Sequence, residues 1–154
     1  MTSYDLDKIR VELDSFLEEP HIHKAVQEAV EEILRKFRKN PELQAFSVSI
    51  TPAKFPSVEF PKEAQLIRVY GSKARHAGKI ERHPNSLQSL TTIEGEGVTK
   101  ILGPPGESRT DYSAGKYWSF VEPNVWHQPV AGNEDWIAAT FHSASETELI
   151  DEYQ

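Results

Sequence analysis

The apolar residues of this sequence change their spacing once, near residue 45. Before that point they recur every three or four residues, which predicts one amphipathic helix ending near Pro20 and a second over residues 22–39. After it, apolar and polar residues alternate in many short segments, which predicts β-strands. We therefore expect a helical extension of residues 1–44 and a β-barrel of residues 45–154, within one structural domain.

The strand segments are short and evenly spaced, and turns rich in glycine or proline separate them. This arrangement is typical of an antiparallel sandwich or barrel. The tail, residues 145–154, is predicted to form one helical turn without a functional group. The predicted strands cover residues 46–50, 65–70, 79–83, 88–94, 98–102, 109–113, 116–122, 126–130 and 136–142.

Charge and composition exclude several classes of function. The net charge of -7 would repel a phosphate backbone, so we expect no nucleic-acid partner. There is no apolar stretch of membrane-spanning length and no secretory signal, so we expect a cytoplasmic protein that does not bind membranes. The chain has no cysteine, so any transition metal must be held by histidine, carboxylate or amide oxygen.

The strongest candidate for a site is Glu81-Arg-His83. Residues two apart on a strand point to the same face, so Glu81 and His83 would enter the same space. A later strand could bring His127 beside them. Two histidines and one carboxylate suit non-haem iron with open coordination positions.

Two segments resemble the signature motifs of the cupin superfamily. Glu81-Arg-His83, four residues, Gln88, six residues and Gly95 reproduce the spacing of the first motif, with Glu81 in place of a histidine and Gln88 in place of a glutamate. The second motif is looser and is aligned on His127, with Asn124 where the family has glycine. Asparagine is the residue that best replaces glycine at positive φ, so the turn can survive this change.

The resemblance implies a mainly β fold, the double-stranded β-helix of cupins, and a metal held by Glu81, His83 and His127. Gln88 would be a fourth ligand or would orient Glu81 or a bound water. The ligand chemistry favours Fe(II), with Mn, Ni, Cu or Zn as alternatives. Open positions on the metal indicate an oxygenase that acts on a small organic substrate. A homodimer is a further expectation for this fold.

Two other functions stay open at this point. A bound metal can act as a Lewis acid in isomerase or lyase chemistry, and a metal-free cupin can bind a small molecule. In the metal-free case Glu81 and His83 would remain as a buried hydrogen-bonded pair, since a buried carboxylate needs a partner.

Other polar residues are weaker candidates. Tyr70, with Tyr112 and Tyr117 as alternatives, could supply a phenol as acid or base, so the candidate catalytic groups are Glu81, Gln88 and Tyr70.

The remaining cationic and histidine side chains are interpreted mainly as surface groups. Arg68 could hold a carboxylate substrate, but solvent is favoured, and His142 is interpreted as a surface or hydrogen-bonded residue. His76 lies in a polar loop, and His21-x-His23 is interpreted as a solvated helix start.

Overall fold

The computed structural model describes residues 3–115 and 117–154. Helix α1 is Leu6–Glu18 and helix α2 is Pro20–Lys39. Glu19 separates them, and its side chain accepts a hydrogen bond from the Ile22 amide at 3.0 Å. Pro20 was expected just past the first helix, and it also begins the second, because its fixed φ and missing N–H suit a first helical position.

The strands follow the predicted alternation closely, with small shifts at their ends. They are β1 Ala45–Ile50, β2 Leu66–Ser72, β3 Glu81–Arg82, β4 Gln88–Glu94, β5 Glu96–Leu102, β6 Arg109–Ala114, β7 Trp118–Val121, β8 Trp126–Ala131, β9 Trp136–His142 and β10 Glu152–Tyr153. A short 3-10 helix, Pro52–Lys54, follows β1.

Two of the predicted segments are corrected. The segment 79–83 keeps only two residues as β3. The tail makes the predicted turn, in which the Leu149 amide donates a hydrogen bond to the Ser145 carbonyl at 2.8 Å, but it then forms β10, which the sequence did not predict. Lys116, the first residue of another predicted strand, lies outside the described residues.

The described strands form two antiparallel sheets, which confirms the mainly β fold. The first sheet has the order β1-β2-β9-β4-β7, and the second has the order β10-β3-β8-β5-β6. Consecutive strands often lie in different sheets, so the sheets enclose a common interior. This interior contains the candidate site.

The helices cover the outer face of the first sheet. Their apolar stripes share one buried cluster with Ile67, Val69 and Phe141 from that sheet. The contact is close at Gly71, where an added Cβ would lie 2.3 Å from Cγ2 of Ile33. The division of the chain at residue 44 stays a prediction, because the helices and the first sheet bury a single core.

This packing decides which side of each strand faces the interior. In β9, Ile137, Ala139 and Phe141 belong to the cluster under the helices. The alternate residues, Trp136 and Ala138, belong to a smaller cluster with Leu90. The helices therefore direct the more apolar residues of the sheet outward and the polar ones inward.

Two turns have the backbone conformations that their residues predict. Gly95 has φ of 75° and connects β4 to β5, and Asn124 has φ of 69° just before β8. Asparagine thus keeps the turn at the position where the cupin motif has glycine. Among the described residues, no helix is both long and apolar enough to cross a bilayer.

Candidate metal centre

Glu81 and His127 face each other across two antiparallel strands. They are direct partners in the pairing of β3 with β8, and His83 follows β3 immediately. Oε1 of Glu81 lies 3.5 Å from Nε2 of His127 and 3.7 Å from Nε2 of His83. Within the described part of the chain, these residues form one group whose potential ligand atoms all lie within 4.8 Å of one another.

The histidine nitrogens that face Glu81 lack hydrogen bonds. Nε2 of His83 and Nε2 of His127 are buried and have no hydrogen-bond partner in the described residues. Both distances to Glu81 exceed the roughly 2.7–3.2 Å of an N–H···O hydrogen bond. A buried polar atom without a partner is unfavourable, so these nitrogens are available to a bound group.

His127 is oriented by the backbone. Its Nδ1 donates a hydrogen bond to the carbonyl oxygen of Val125 at 3.0 Å. The proton of a neutral imidazole is then on Nδ1, and the lone pair of Nε2 faces Glu81. This is the arrangement in which histidine binds a metal.

The contacts within this group lower the pKa of Glu81 and raise that of His83. Burial raises the pKa of Glu81, but its contacts with His127 and His83 outweigh burial and lower that pKa to about 2. Burial lowers the pKa of His83, but Glu81 and then the charge of Asp151 outweigh burial and raise it. Without a metal, Glu81 is therefore ionised and attracts a proton to His83.

The residues fit a divalent cation. Glu81 provides an ionised carboxylate, and the two histidines provide buried imidazoles with unpaired nitrogens. This ligand set contains no sulfur, and borderline transition metals accept it. Gln88 is buried on β4 and lines the cavity beside this group. It stays a prediction that Glu81, His83 and His127 are metal ligands and that Gln88 is a fourth.

A cavity of about 530 Å³ opens next to the histidines. Its lining combines a few apolar side chains with many polar ones. The lining residues are Ala45, Phe46, Ser47, Arg68, Tyr70, His76, Gly78, Lys79, Glu81, Gln88, Leu90, Thr99, His127, Pro129, Thr140, His142 and Tyr153.

Of the three tyrosines considered as acids or bases, Tyr70 lines this cavity. Burial raises the pKa of Tyr70, a contact with Ser72 lowers it, and the charge of Glu81 raises it further, with a net increase. The phenol therefore keeps its proton and is suited to donate a hydrogen bond. Tyr112 and Tyr117 are exposed by 60% and 76% and lie elsewhere on the surface.

Two residues interpreted as surface groups lie at the cavity instead. His142 is buried, and its ring centroid is 4.9 Å from that of His83. Burial, with the charges of His83 and Arg68, holds the pKa of His142 well below its ordinary value, so it is neutral. Arg68 also lines the cavity rather than extending into solvent. Because the helices cover the opposite face of β2 and β9, these polar residues face inward.

Two further histidines, His21 and His76, lie in different environments. His21 is exposed, and its Nδ1 lies 2.9 Å from Oε1 of Glu19, as expected for a solvated helix start. His76 was interpreted as a loop residue, and it contributes to the cavity wall.

Asp151 is a site residue that the sequence analysis missed. Its Oδ1 lies 2.9 Å from Nδ1 of His83, and its carboxylate is paired with Arg68. The residue directly precedes the short strand β10, and the tail shows no alternation that predicts a strand there. The sequence therefore gave no signal that the C-terminal segment returns to the site.

Comparison with solved structures shows which fold this is. Peruvianin-I, described as a cysteine peptidase from Thevetia peruviana latex, matches with a TM-score of 0.60 and 10% identity, over 73% of this chain and 68% of that one. Oxalate oxidase in complex with glycolate matches with a TM-score of 0.57 and 10% identity, over 70% and 54%. Oxalate decarboxylase from Bacillus subtilis matches with a TM-score of 0.58 and 16% identity, over 71% and 28%.

Oxalate oxidase and oxalate decarboxylase are cupin proteins, so the chain has the cupin fold, as its motifs predicted. It spans about half the length of the oxalate oxidase chain and about a quarter of the oxalate decarboxylase chain. No protein-family model matches the sequence, and neither does any curated protein.

Proposed function

We propose that this protein is a metal-dependent enzyme in which Glu81, His83 and His127 hold Fe(II), and that it acts as an oxygenase on a small organic acid. The observation that carries the proposal is the pair of buried imidazole nitrogens that face one carboxylate without hydrogen bonds. A site that had lost its metal would be expected to close into a hydrogen-bonded pair. Manganese is the nearest alternative metal, because a structural neighbour, oxalate decarboxylase, has Mn(II) centres.

The cavity wall is suited to an anionic substrate. Arg68 and Lys79 both line it, and His76 lies in the same wall. Arg68 is already paired with Asp151, so the ammonium of Lys79 would make the main charged contact with a substrate carboxylate. Oxalate oxidase, which shares the fold, was solved with glycolate. A small carboxylate with further oxygen atoms is the class of substrate that this wall favours.

The protein residues would position the substrate and supply protons. Bound Fe(II) would provide open coordination positions at which substrate and dioxygen meet. The Tyr70 phenol keeps its proton and would donate a hydrogen bond to a substrate oxygen, while Leu90 and Pro129 limit the access of water. Gln88 would add a neutral oxygen ligand or orient a bound water.

Two alternatives use the same cavity differently. A metal at this site could act as a Lewis acid in isomerase or lyase chemistry, and one protein that shares the fold is an oxalate decarboxylase. A metal-free binding module would require the histidine nitrogens to be satisfied by a ligand. The peptidase activity named for peruvianin-I is no candidate, because this chain contains no cysteine.

The test begins with elemental analysis and anaerobic Fe(II) titration of untagged protein. We expect one iron per chain, and a loss of binding by at least about 100-fold in His83→Ala. His21→Ala is the matched control, because it removes a histidine at the exposed pair and should leave the stoichiometry unchanged. Wild-type protein that binds no iron, or a His83→Ala protein that binds it normally, would refute the site.

Oxygen consumption then separates the oxygenase from the Lewis-acid enzyme. The iron-loaded protein is mixed with a panel of small carboxylic acids that includes glycolate, oxalate and 2-oxo acids. An oxygenase consumes oxygen as the acid disappears. Conversion of an acid without oxygen uptake would indicate an isomerase or lyase instead of an oxygenase.

A further inference from the structure

We propose that Asp151 is a positioning residue that fixes the orientation and tautomer of His83, so that the C-terminal segment completes the metal site. The effect of Asp151 on metal affinity rests on the proposed function above. Its effect on the tautomer of His83 does not, because it concerns the metal-free protein as well.

The first observation is the contact between the two side chains. Nδ1 of His83 lies 2.9 Å from Oδ1 of Asp151, inside the barrel, and only 2% of the His83 side chain is exposed. The distance is that of a charge-assisted hydrogen bond, but the contact lacks the alignment of one. The backbone carbonyl of Ile150, the residue before Asp151, is a second acceptor beside His83. A carboxylate only accepts, so neutral His83 satisfies both groups by carrying its proton on Nδ1.

The tautomer determines what Nε2 can do. With the proton on Nδ1, the lone pair of Nε2 is free on the side that faces Glu81 and His127. This is the same arrangement that the Val125 carbonyl imposes on His127. Both histidines would then present a lone pair to one point, and a carboxylate beside a ligand histidine also raises its basicity.

The second observation is that Asp151 is itself held in place. Nη1 of Arg68 lies 3.4 Å from Oδ1, and Nη2 lies 3.2 Å from Oδ2. Two contacts between planar groups restrict rotation of the carboxylate. Arg68 is on β2, in the first sheet, so it connects a wall of the cavity to the tail.

The third observation is that the tail is fixed by contacts of its own. β10 pairs with β3, with Glu152 opposite Arg82 and Tyr153 opposite Glu81. Oε2 of Glu152 accepts a hydrogen bond from Nε of Arg82 at 2.8 Å. The segment that carries Asp151 is therefore attached to the strand that carries Glu81, which sets the distance between Asp151 and His83.

These contacts also provide the matched control. Glu152→Gln weakens the attachment of the tail without touching His83, whereas Asp151→Ala removes the contact to His83. If Asp151 only anchored the tail, both substitutions would have similar effects. If it positions His83, only the second should disturb the imidazole.

The experiment has two readouts. Titration with Co(II), followed by its visible absorption, should show about 10- to 100-fold weaker binding in Asp151→Ala and near wild-type binding in Glu152→Gln. The ¹⁵N imidazole resonances of the metal-free protein, assigned with His83→Gln and recorded at a pH high enough for His83 to be neutral, should show the Nδ1-protonated tautomer of His83 in wild type and a mixture in Asp151→Ala.

Each outcome decides between the explanations. Unchanged Co(II) affinity in Asp151→Ala, an equal loss in Glu152→Gln, or a neutral His83 that carries its proton on Nε2 in the wild type would overturn the proposal. If the wild type shows the expected tautomer but binds neither Co(II) nor Fe(II), the proposed metal function fails while the positioning of His83 by Asp151 stands.

Discussion

Glu81 lies directly opposite His127 across β3 and β8, and its Oε1 is 3.5 Å from Nε2 of His127. The carboxylate thus occupies a position where the cupin motif has histidine and still faces the histidine of the second motif. A carboxylate there supplies the charge that the Gln88 position no longer provides. Glu81 is therefore the residue on which the proposed metal site depends most.

Replacing this carboxylate by its neutral isostere should weaken the site and change His83. We expect Glu81→Gln to reduce Co(II) affinity by at least about tenfold, since a charged ligand is lost. The pKa of His83 should fall, because Glu81 is the main group that raises it. Titration of the His83 resonance by NMR measures this. Glu96→Gln removes another carboxylate, bonded to Tyr112, and should change neither property.

The metal-free protein should be most stable near pH 6.5. The pKa of His83 is raised in the fold, so its contribution is complete below the unfolded value of about 6.5 and is lost as pH rises through the folded pKa. The pKa of His142 is lowered, so the unfolded chain binds more protons below pH 6.5 and stability falls there as pH decreases. Glu81 adds a further loss as pH falls from about 4.5 towards its folded pKa of about 2.

Urea denaturation at a series of pH values checks this dependence. Glu81→Gln should flatten the decline above pH 6.5, and His142→Gln should flatten the decline just below it. A metal-free protein whose stability is constant between pH 5 and 8 would show that neither histidine is shifted as the structure indicates.

Metal binding should stabilise the fold. A ligand present at about 100 times its dissociation constant adds roughly 2.7 kcal/mol, which corresponds to an increase in Tm of about 5–10 °C for a chain of this size. Thermal unfolding with Co(II), and again after EDTA, measures the shift and its reversal. An equal shift in His83→Ala would mean that the metal binds elsewhere.

Two adjacent residues of β9 should differ sharply in their effect on stability. Phe141 is fully buried under the helices, so Phe141→Ala should cost about 3–5 kcal/mol. Thr140 faces the cavity, and its hydroxyl donates a hydrogen bond to the Arg68 carbonyl, so Thr140→Ala should cost only about 0.5–1.5 kcal/mol. Guanidinium denaturation of both variants compares them. Similar losses would contradict the assignment of the core to the outer face.

The sequence predicted most of the strands and the convergence of Glu81, His83 and His127. Local alternation and the motif spacing were sufficient for this, because both are properties of neighbouring residues. Alternation could not tell which face of a strand lines the interior, and for this reason Arg68 and His142 were interpreted as surface groups. The helices decide which face lines the interior, because the apolar face of the first sheet packs against them.

Asp151 could not be predicted for a different reason. Its contact with His83 joins residues far apart in sequence through β10, a strand of two residues that is too short to show a period. The residue becomes recognisable only when the tail is seen to pair with β3. The local pattern of apolar and polar residues cannot predict interactions that depend on such long-range pairing.

The close approach of Ile33 to Gly71 also limits how copies of this chain can assemble. Helix α2 already occupies the outer face of the first sheet at van der Waals distance, so a second subunit cannot be placed there without displacing it. A homodimer, which the sequence led us to expect, stays a prediction and would form through the outer face of the second sheet, through an edge strand, or through the exposed face of the helices.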